Sequence, residues 1–308
     1  MRSLSGAPAL RGMKSFPLTA VTGAAGKLGR PACRALAAAG VPVRAIDRSP
    51  LNEAGLAGWQ GDLADPAFCL QALEGVEVLV HLACPQPHDG GEEAAREQER
   101  LNRSVFETAD HAGVRQILFA SSIQVAYPDA LPMDGDSEAR PSTPYSRAKR
   151  RAEEWLERWS ADRGAPARIL RLPGLVHAPA DYNPSHHAVH WREAFTYLTL
   201  GDAAVLLVKL VQADLPGFRI FLPASRRNVL GLPAAEAIRS HYPEIPLKLP
   251  IQEIEALADC RALRREAGWE PADRIDGNEP FPKHPLARPC ARWRPWTKGP
   301  PASSGVVL

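Results

Sequence analysis

The sequence predicts an α/β protein, a doubly wound parallel sheet followed by a small C-terminal lobe. Three observations carry that prediction. Short apolar runs alternate with helical stretches from residue 18 to 172, which implies crossover connections, a parallel sheet and helices on both of its faces. The first of those runs closes on a glycine-rich turn. After Gly174 the alternation loosens, and prolines and histidines fill 177–190.

Taken in order, Leu18 to Thr22 is apolar and ends at glycine, which reads as a strand. Lys27 to Ala39 has helical spacing and stops at Gly40. Val43 to Asp47 and Val76 to Leu82 read as further strands. Glu92 to Ala112 is a charged helical stretch ending at Gly113, with both signs at helical spacing as on a solvated face. Gln116 to Ser121 is the next strand. The helix from Pro144 to Arg163 is announced by Ser142, Thr143 and Pro144, and Ala167 to Leu172 follows as a strand. Beyond Gly174 the pattern predicts helices at Asp202 to Gln212, Pro233 to His241 and Glu253 to Ala267, with a strand at Phe218 to Leu222.

These elements divide the chain into an N-terminal extension (1–16), a core (17–174), a small lobe (175–283) and a basic, proline-rich tail (284–308). Met1 to Ser15 carries Arg2, Arg11 and Lys14 without an acid, and from Pro280 onward there are seven prolines and no carboxylate side chain. Neither end has an apolar pattern able to pack, so both are expected to be disordered.

With 308 residues, 45% of them hydrophobic and 23% charged, the chain has enough material for a sizeable core. A net charge of +2 gives no reason to expect a nucleic-acid partner, and Trp293 and Trp296 among tail arginines do not make one. The longest strongly apolar stretch, Ala203 to Leu210, is far too short for a bilayer and is interrupted by Lys209, so no membrane partner is expected. Five cysteines without a CxxC suit a reducing compartment, hence a cytoplasmic protein. His186 and His190 fall at helical spacing beside His187, but a catalytic zinc site wants a third ligand and a carboxylate base, and Glu193 is the only acid close by. No metal is expected.

The turn Thr22-Gly23-Ala24-Ala25-Gly26-Lys27-Leu28-Gly29 sits directly after a strand and opens a helix. Glycines there permit a tight turn and close approach to a pyrophosphate, and the helix N-terminus offers N–H groups and partial positive charge. Asp47 ends the second strand, where an acid grips ribose hydroxyls. Dinucleotide binding in a Rossmann-like core follows, through Gly23, Ala25, Gly26, Lys27, Leu28, Gly29 and Asp47. NAD is the expected cofactor because Asp47 would repel the 2′-phosphate of NADP. Arg48 and Lys27, each able to hold that phosphate, keep NADP open.

Tyr145 and Lys149 lie four apart on a helix and therefore share a face. A phenol with a pKa of ~10 is a poor base at neutral pH. An ammonium ~4 Å away would supply ~4 kcal/mol at an effective dielectric near 20, about three pKa units. That would bring the phenol into the range of a working acid/base, and Lys149 would also hold the nicotinamide ribose.

The TGxxGxxG spacing together with Tyr145-Ser-Arg-Ala-Lys149 resembles the extended short-chain dehydrogenase/reductase family, also called the NAD-dependent epimerase/dehydratase family. The resemblance implies further roles. Gly61-Asp62-Leu63 is similar to the element that contacts the adenine, and His81-Leu82-Ala83 to the HLA segment beside the cofactor. Asn102 matches an asparagine that organises a proton relay in many members. Ser121-Ser122-Ile-Gln-Val125 matches SSxxV, whose second serine orients the substrate oxygen, which implies Ser122. Arg171-Leu172-Pro173-Gly174 resembles the loop at the nicotinamide carboxamide, and Glu266 to Pro271 resembles the LGWxP close. Val125-Ala126-Tyr127 and Val176-His177-Ala178-Pro179 depart from the family's VYG and YGP, both of which border the substrate pocket.

The implied function is a dehydrogenase or reductase moving hydride between a nicotinamide cofactor and a carbinol or carbonyl of a small sugar-like or alcohol substrate. The alternative is a nucleotide-sugar epimerase or dehydratase using the same residues, with Arg192, Arg226 and Arg227 as phosphate partners. A non-catalytic cofactor sensor is the third reading, disfavoured because it has no need of Ser122, Tyr145 and Lys149. A homodimer is left open.

Overall fold

The computed structural model describes residues 16–51, 56–85, 91–177 and 191–272. Strands β1 (Thr19–Thr22), β2 (Val43–Asp47), β3 (Ala57–Gln60), β4 (Val78–His81), β5 (Gln116–Ser122) and β6 (Ala167–Leu172) form one sheet. Two more strands, β7 (Gly174–Val176) and β8 (Tyr197–Thr199), form a separate parallel pair. The main sheet takes β9 (Phe218–Phe221) as its seventh strand, in the order β3-β2-β1-β4-β5-β6-β9, with every neighbour parallel.

The described α-helices are α1 (Gly29–Ala38), α2 (Pro66–Leu73), α3 (Gly91–His111), α4 (Pro144–Arg163), α5 (Leu200–Gln212), α6 (Ala234–His241) and α7 (Arg261–Ala267). Two apolar clusters cover the two faces of the main sheet. One joins Leu36 of α1, Val80 of β4 and Leu206 of α5; the other joins Leu73 of α2, Phe106 of α3, Phe119 of β5 and Leu156 of α4. Burial on both faces explains why these strands read as short continuous apolar runs rather than as alternations.

The chain runs outward from β1 to β3 and then returns to the other side of β1 as β4. That reversal opens a crevice beyond the carboxyl ends of β1 and β4, where ligands bind in such sheets. Gly23 follows β1 there and Ala83 lies two residues beyond β4.

The lobe differs from the continuous segment expected from residue 175 onward. α5 packs on the α1 face, and β9 pairs with β6 from Ala167↔Phe218 to Leu170↔Phe221, so 200–221 belongs to the main layer. The apolar sequence of α5 belongs to the sheet's own core, a role that periodicity cannot distinguish from packing within a lobe. What remains is a third cluster built from separate pieces: Ile123 and Met133, Trp191 and Phe195, and Leu222 to Ala258. The expected helix over Glu253 to Ala267 is instead a 3₁₀ turn at Ile251–Glu253 and, after a break, α7. Of the expected extension (1–16) Phe16 is described, and it packs against the α1-face cluster; residues 1–15, the expected tail and His186, His187 and His190 lie outside the described residues.

Candidate active site

Gly23 has a φ of +69°, and a Cβ on it would stand 2.8 Å from the Ala83 nitrogen. A Cβ on Gly29 would stand 2.0 Å from the Gly23 carbonyl oxygen. Both positions exclude a side chain, so the turn lies flat against the end of β4 and exposes backbone to the crevice. The first helical turn of α1 has no side-chain cap at Leu28 and no acid, whereas Asp65, Thr143 and Thr199 cap α2, α4 and α5. An N-terminus left in that state favours an anion, and the cradle therefore fits a pyrophosphate.

Asp47 ends β2. Its Oδ2 accepts from Ala25 N at 2.9 Å and its Oδ1 from Ser49 N at 2.8 Å, so the carboxylate is fixed beside the turn. A cavity of about 340 Å³ opens there, lined among others by Gly23, Asp47, Arg48, Asp62, Leu63 and Ala83. Six of the expected cofactor residues thus share one cavity. Lys27 points elsewhere: its Nζ donates to the Leu175 carbonyl at 2.6 Å, across to β7. That contact directs it toward β7 rather than toward Asp47. Pro173 is buried between β6 and β7.

The catalytic candidates meet beyond the end of β5. Ser122 is its last residue, with Oγ accepting from Gln124 N at 3.2 Å. Tyr145 stands in the first turn of α4, which a reciprocal cap fixes: Thr143 Oγ1 accepts from Ser146 N at 3.1 Å and Ser146 Oγ from Thr143 N at 2.9 Å. The Ser122 hydroxyl hydrogen-bonds the phenol. Lys149 is buried, donates to the Ala120 carbonyl at 2.7 Å and lies 4.8 Å from the Phe119 ring centroid.

The electrostatics differ from the sequence argument. Burial pushes the Tyr145 phenol well above its usual range, Cys84 and Glu193 push in the same direction, and the Ser122 hydrogen bond only partly offsets them. Burial likewise lowers Lys149, against Cys84 and Glu153, which favour its charge. Desolvation therefore dominates both groups in the chain by itself.

Asn102, expected in a proton relay, is held by a different group. Its Oδ1 accepts from Gln98 Nε2 at 2.6 Å and lies 3.1 Å from His81 Nε2. That carbonyl can only accept, so His81 carries its proton on Nε2 and its Nδ1 accepts from the Thr22 hydroxyl at 2.7 Å. Thr22 Oγ1 in turn receives Leu82 N and Ala83 N at 3.2 and 3.3 Å. The chain Gln98–Asn102–His81–Thr22 ties the ends of β1 and β4 together beneath the crevice. Burial, slightly reinforced by Lys149 and opposed by the Asn102 hydrogen bond, lowers His81 to about 3.

Behind Ser122, Glu153 of α4 accepts from Ser121 Oγ at 2.6 Å and pairs with Arg171 at 2.9 Å, both charged side chains being buried. Arg171 thus braces the site from behind. Of the arginines considered for phosphates, Arg192 donates to the Arg140 carbonyl at 2.8 Å and lies over the Tyr127 ring, and Arg226 pairs with Glu270. Glu193 was missed as a site residue. It lies in a local sequence of mostly apolar residues, with no motif to mark it.

The family described as NAD dependent epimerase/dehydratase matches residues 19–196. Among curated proteins, sterol demethylase protein B of Methylococcus capsulatus is 33% identical over 178 residues, 54% of each chain. A 2-alkyl-3-oxoalkanoate reductase of Stenotrophomonas maltophilia is 28% identical over 171 residues, 52% of this chain and 51% of that protein. The chain spans about half the length of these relatives. Among solved structures, a uronate dehydrogenase from Agrobacterium tumefaciens superposes with a TM-score of 0.58 at 26% identity, over 68% of this chain and 77% of that one. A UDP-N-acetylglucosamine 4-epimerase from Bacillus cereus superposes with a TM-score of 0.62 at 19% identity, over 83% and 94%, a likeness of fold alone.

Proposed function

The chain belongs to the NAD dependent epimerase/dehydratase family, and from that premise we propose that it is an oxidoreductase acting on a carbinol or carbonyl carbon of a small sugar-like or alcohol substrate. The observation that supports this most is the meeting of Ser122, Tyr145 and Lys149 beyond β5, with Cys84 both influencing the pair electrostatically and lining the cavity of the glycine turn. When bound, NAD supplies the hydride acceptor or donor and, in its oxidised form, a positive charge that favours the phenolate.

In the oxidative direction Tyr145 takes the proton of the substrate hydroxyl, and in reduction it returns one. Ser122 orients the substrate oxygen. Lys149 holds the nicotinamide ribose and keeps positive charge below the phenol. The glycine turn and the start of α1 hold the pyrophosphate, and Asp47 accepts the ribose hydroxyls. Asp62, Leu63 and Ala83 border the adenine side, and Pro173 the nicotinamide end.

A dehydrogenase and a reductase among the similar proteins support the redox reading. NAD is preferred to NADP because Asp47 is fixed at the end of β2 and Lys27 is turned away. No described helix is long and apolar enough to cross a membrane; a cytoplasmic location is supported by five cysteines without a CxxC, a usage that suits a reducing compartment. The test is absorbance near 340 nm with sugars, uronates and secondary alcohols, each with NAD and with NADP. Net NADH formation supports the reading, and substrate isomerisation with retained cofactor and no net redox favours the epimerase.

A further inference from the structure

The turn that carries Glu193 is held in an unusual conformation. Ala194 and Phe195 have φ of 50° and 52°, two consecutive side-chain-bearing residues in the left-handed region. Such conformations persist where the surroundings enforce them, and they cluster at functional sites. Here the enforcement is visible. The Tyr242 hydroxyl donates to the Trp191 carbonyl at 2.6 Å, and Trp191 Nε1 donates to the His241 carbonyl at 2.9 Å. Thr196 N and Oγ1 both donate to the Glu193 carbonyl, at 3.0 and 2.7 Å, and Val229 N donates to the Phe195 carbonyl at 2.9 Å.

The turn brings a carboxyl to the catalytic centre. Glu193 is 6% exposed and its carboxyl is hydrogen-bonded by the Gln124 side chain. Gln124 is the residue whose backbone N–H binds Ser122. The charge of Glu193 acts on the Tyr145 phenol, so serine, amide, carboxyl and phenol form one polar group. A buried carboxyl costs stability unless it is compensated. Its neighbour Arg192 donates to the Arg140 carbonyl and lies over the Tyr127 ring, and favours the charged carboxyl through space. Fold stability alone gives no reason to hold an acid there.

We propose that Glu193 is a substrate-contacting residue whose carboxyl accepts a hydrogen bond from a hydroxyl on the carbon next to the reacting carbinol, and which disfavours substrates that carry a carboxylate there. This deepens, and rests on, the reading of Tyr145 as the acid/base. Specificity comes from both halves, an acceptor for the right neighbour and repulsion of the wrong one. The groups acting on or facing the carboxyl are Gln124 from the turn after β5, Arg192 from its own segment and Tyr145 from α4. Burial lifts Glu193 to about 7, against the Gln124 hydrogen bond and Arg192. The repulsion is therefore present above neutral pH and fades below it.

The test is calorimetric titration of the full chain, loaded with NAD, with D-glucitol and D-gluconate, which differ at C1 only in CH₂OH against carboxylate. At about pH 8 the wild type should bind D-glucitol about tenfold tighter, and at about pH 5.5 the ratio should fall to about threefold or less. Glu193→Gln should show the low ratio at both pH values and keep its NAD affinity. A wild-type ratio that ignores pH, a Glu193→Gln ratio equal to wild type, or binding of neither probe would overturn the proposal. Failure of the parent reading looks different: the probes bind as expected, but no substrate in the absorbance screen yields NADH.

Discussion

The Lys149 Nζ lies 5.7 Å from the Tyr145 ring centroid and donates a hydrogen bond to the Ala120 carbonyl at 2.7 Å. Lys149→Met keeps most of the apolar stem and removes the charge. It should lower kcat/KM by about 10²-fold or more and raise the Kd for NAD about tenfold. Steady-state kinetics beside a fluorescence titration with NADH separate the two effects. Unchanged NAD affinity would remove the ribose role.

Asp47 is fixed by Ala25 N and Ser49 N at the rim of the adenosine-side cavity. Wild type should bind NAD about tenfold or more tighter than NADP, and Asp47→Ala should lose most of that preference. Dissociation constants for both cofactors on both proteins check this. A wild type that prefers NADP, reversed by Arg48→Ala, would transfer the selection to Arg48.

His81, buried and lowered to about 3, is neutral in the fold, whereas the unfolded chain protonates it near its ordinary 6.5. Between those values the unfolded state binds the extra proton, so stability rises with pH and is lost as pH falls below 6.5, until about 3. From about pH 6.5 to 4.5 this amounts to roughly 2–3 kcal/mol. His81→Gln should start lower at neutral pH but lose less on acidification by about that amount. Urea unfolding across this range gives the two slopes; parallel slopes would contradict the assignment.

Glu153 and Arg171 form a buried pair at 2.9 Å directly behind Ser121. Arg171→Met leaves a buried carboxylate without its main partner and should cost about 3–5 kcal/mol. Arg171→Met combined with Glu153→Leu should recover much of that loss. Denaturant unfolding of the three proteins decides it, and a near-neutral Arg171→Met would contradict the brace.

Much of the sheet was legible because a doubly buried strand is a short apolar run with clear ends. Val43–Asp47, Pro144–Arg163 and Ala167–Leu172 fall where the pattern puts them. Ala57–Gln60 was not read, since Ala-Gly-Trp-Gln has neither the alternation nor the branched residues of a strand and forms by pairing with β2. Pro66–Leu73 was also unread, although Asp65 capping and Pro66 at its start were available as signals. The placement of 200–221 was out of reach of periodicity, which reports an apolar face but not its partner.

The site divided along the same line. Motif-borne residues such as Gly23, Ser122 and Tyr145 are local in sequence, so spacing exposed them. Glu193 reaches the centre only through the Trp191–Phe195 turn, and that turn depends on Tyr242 some fifty residues later. The burial of Tyr145, which raises its phenol, is a property of the whole fold that the Tyr145–Lys149 spacing does not report.

The most direct test of the account is Tyr145→Phe against wild type, following NADH formation near 340 nm with the best substrate of the screen. Removing the phenol oxygen leaves the glycine turn, Asp47 and Lys149 in place. The account predicts a kcat lower by about 10³-fold or more, with NAD affinity within about twofold of wild type. A Tyr145→Phe enzyme with wild-type kcat would contradict it.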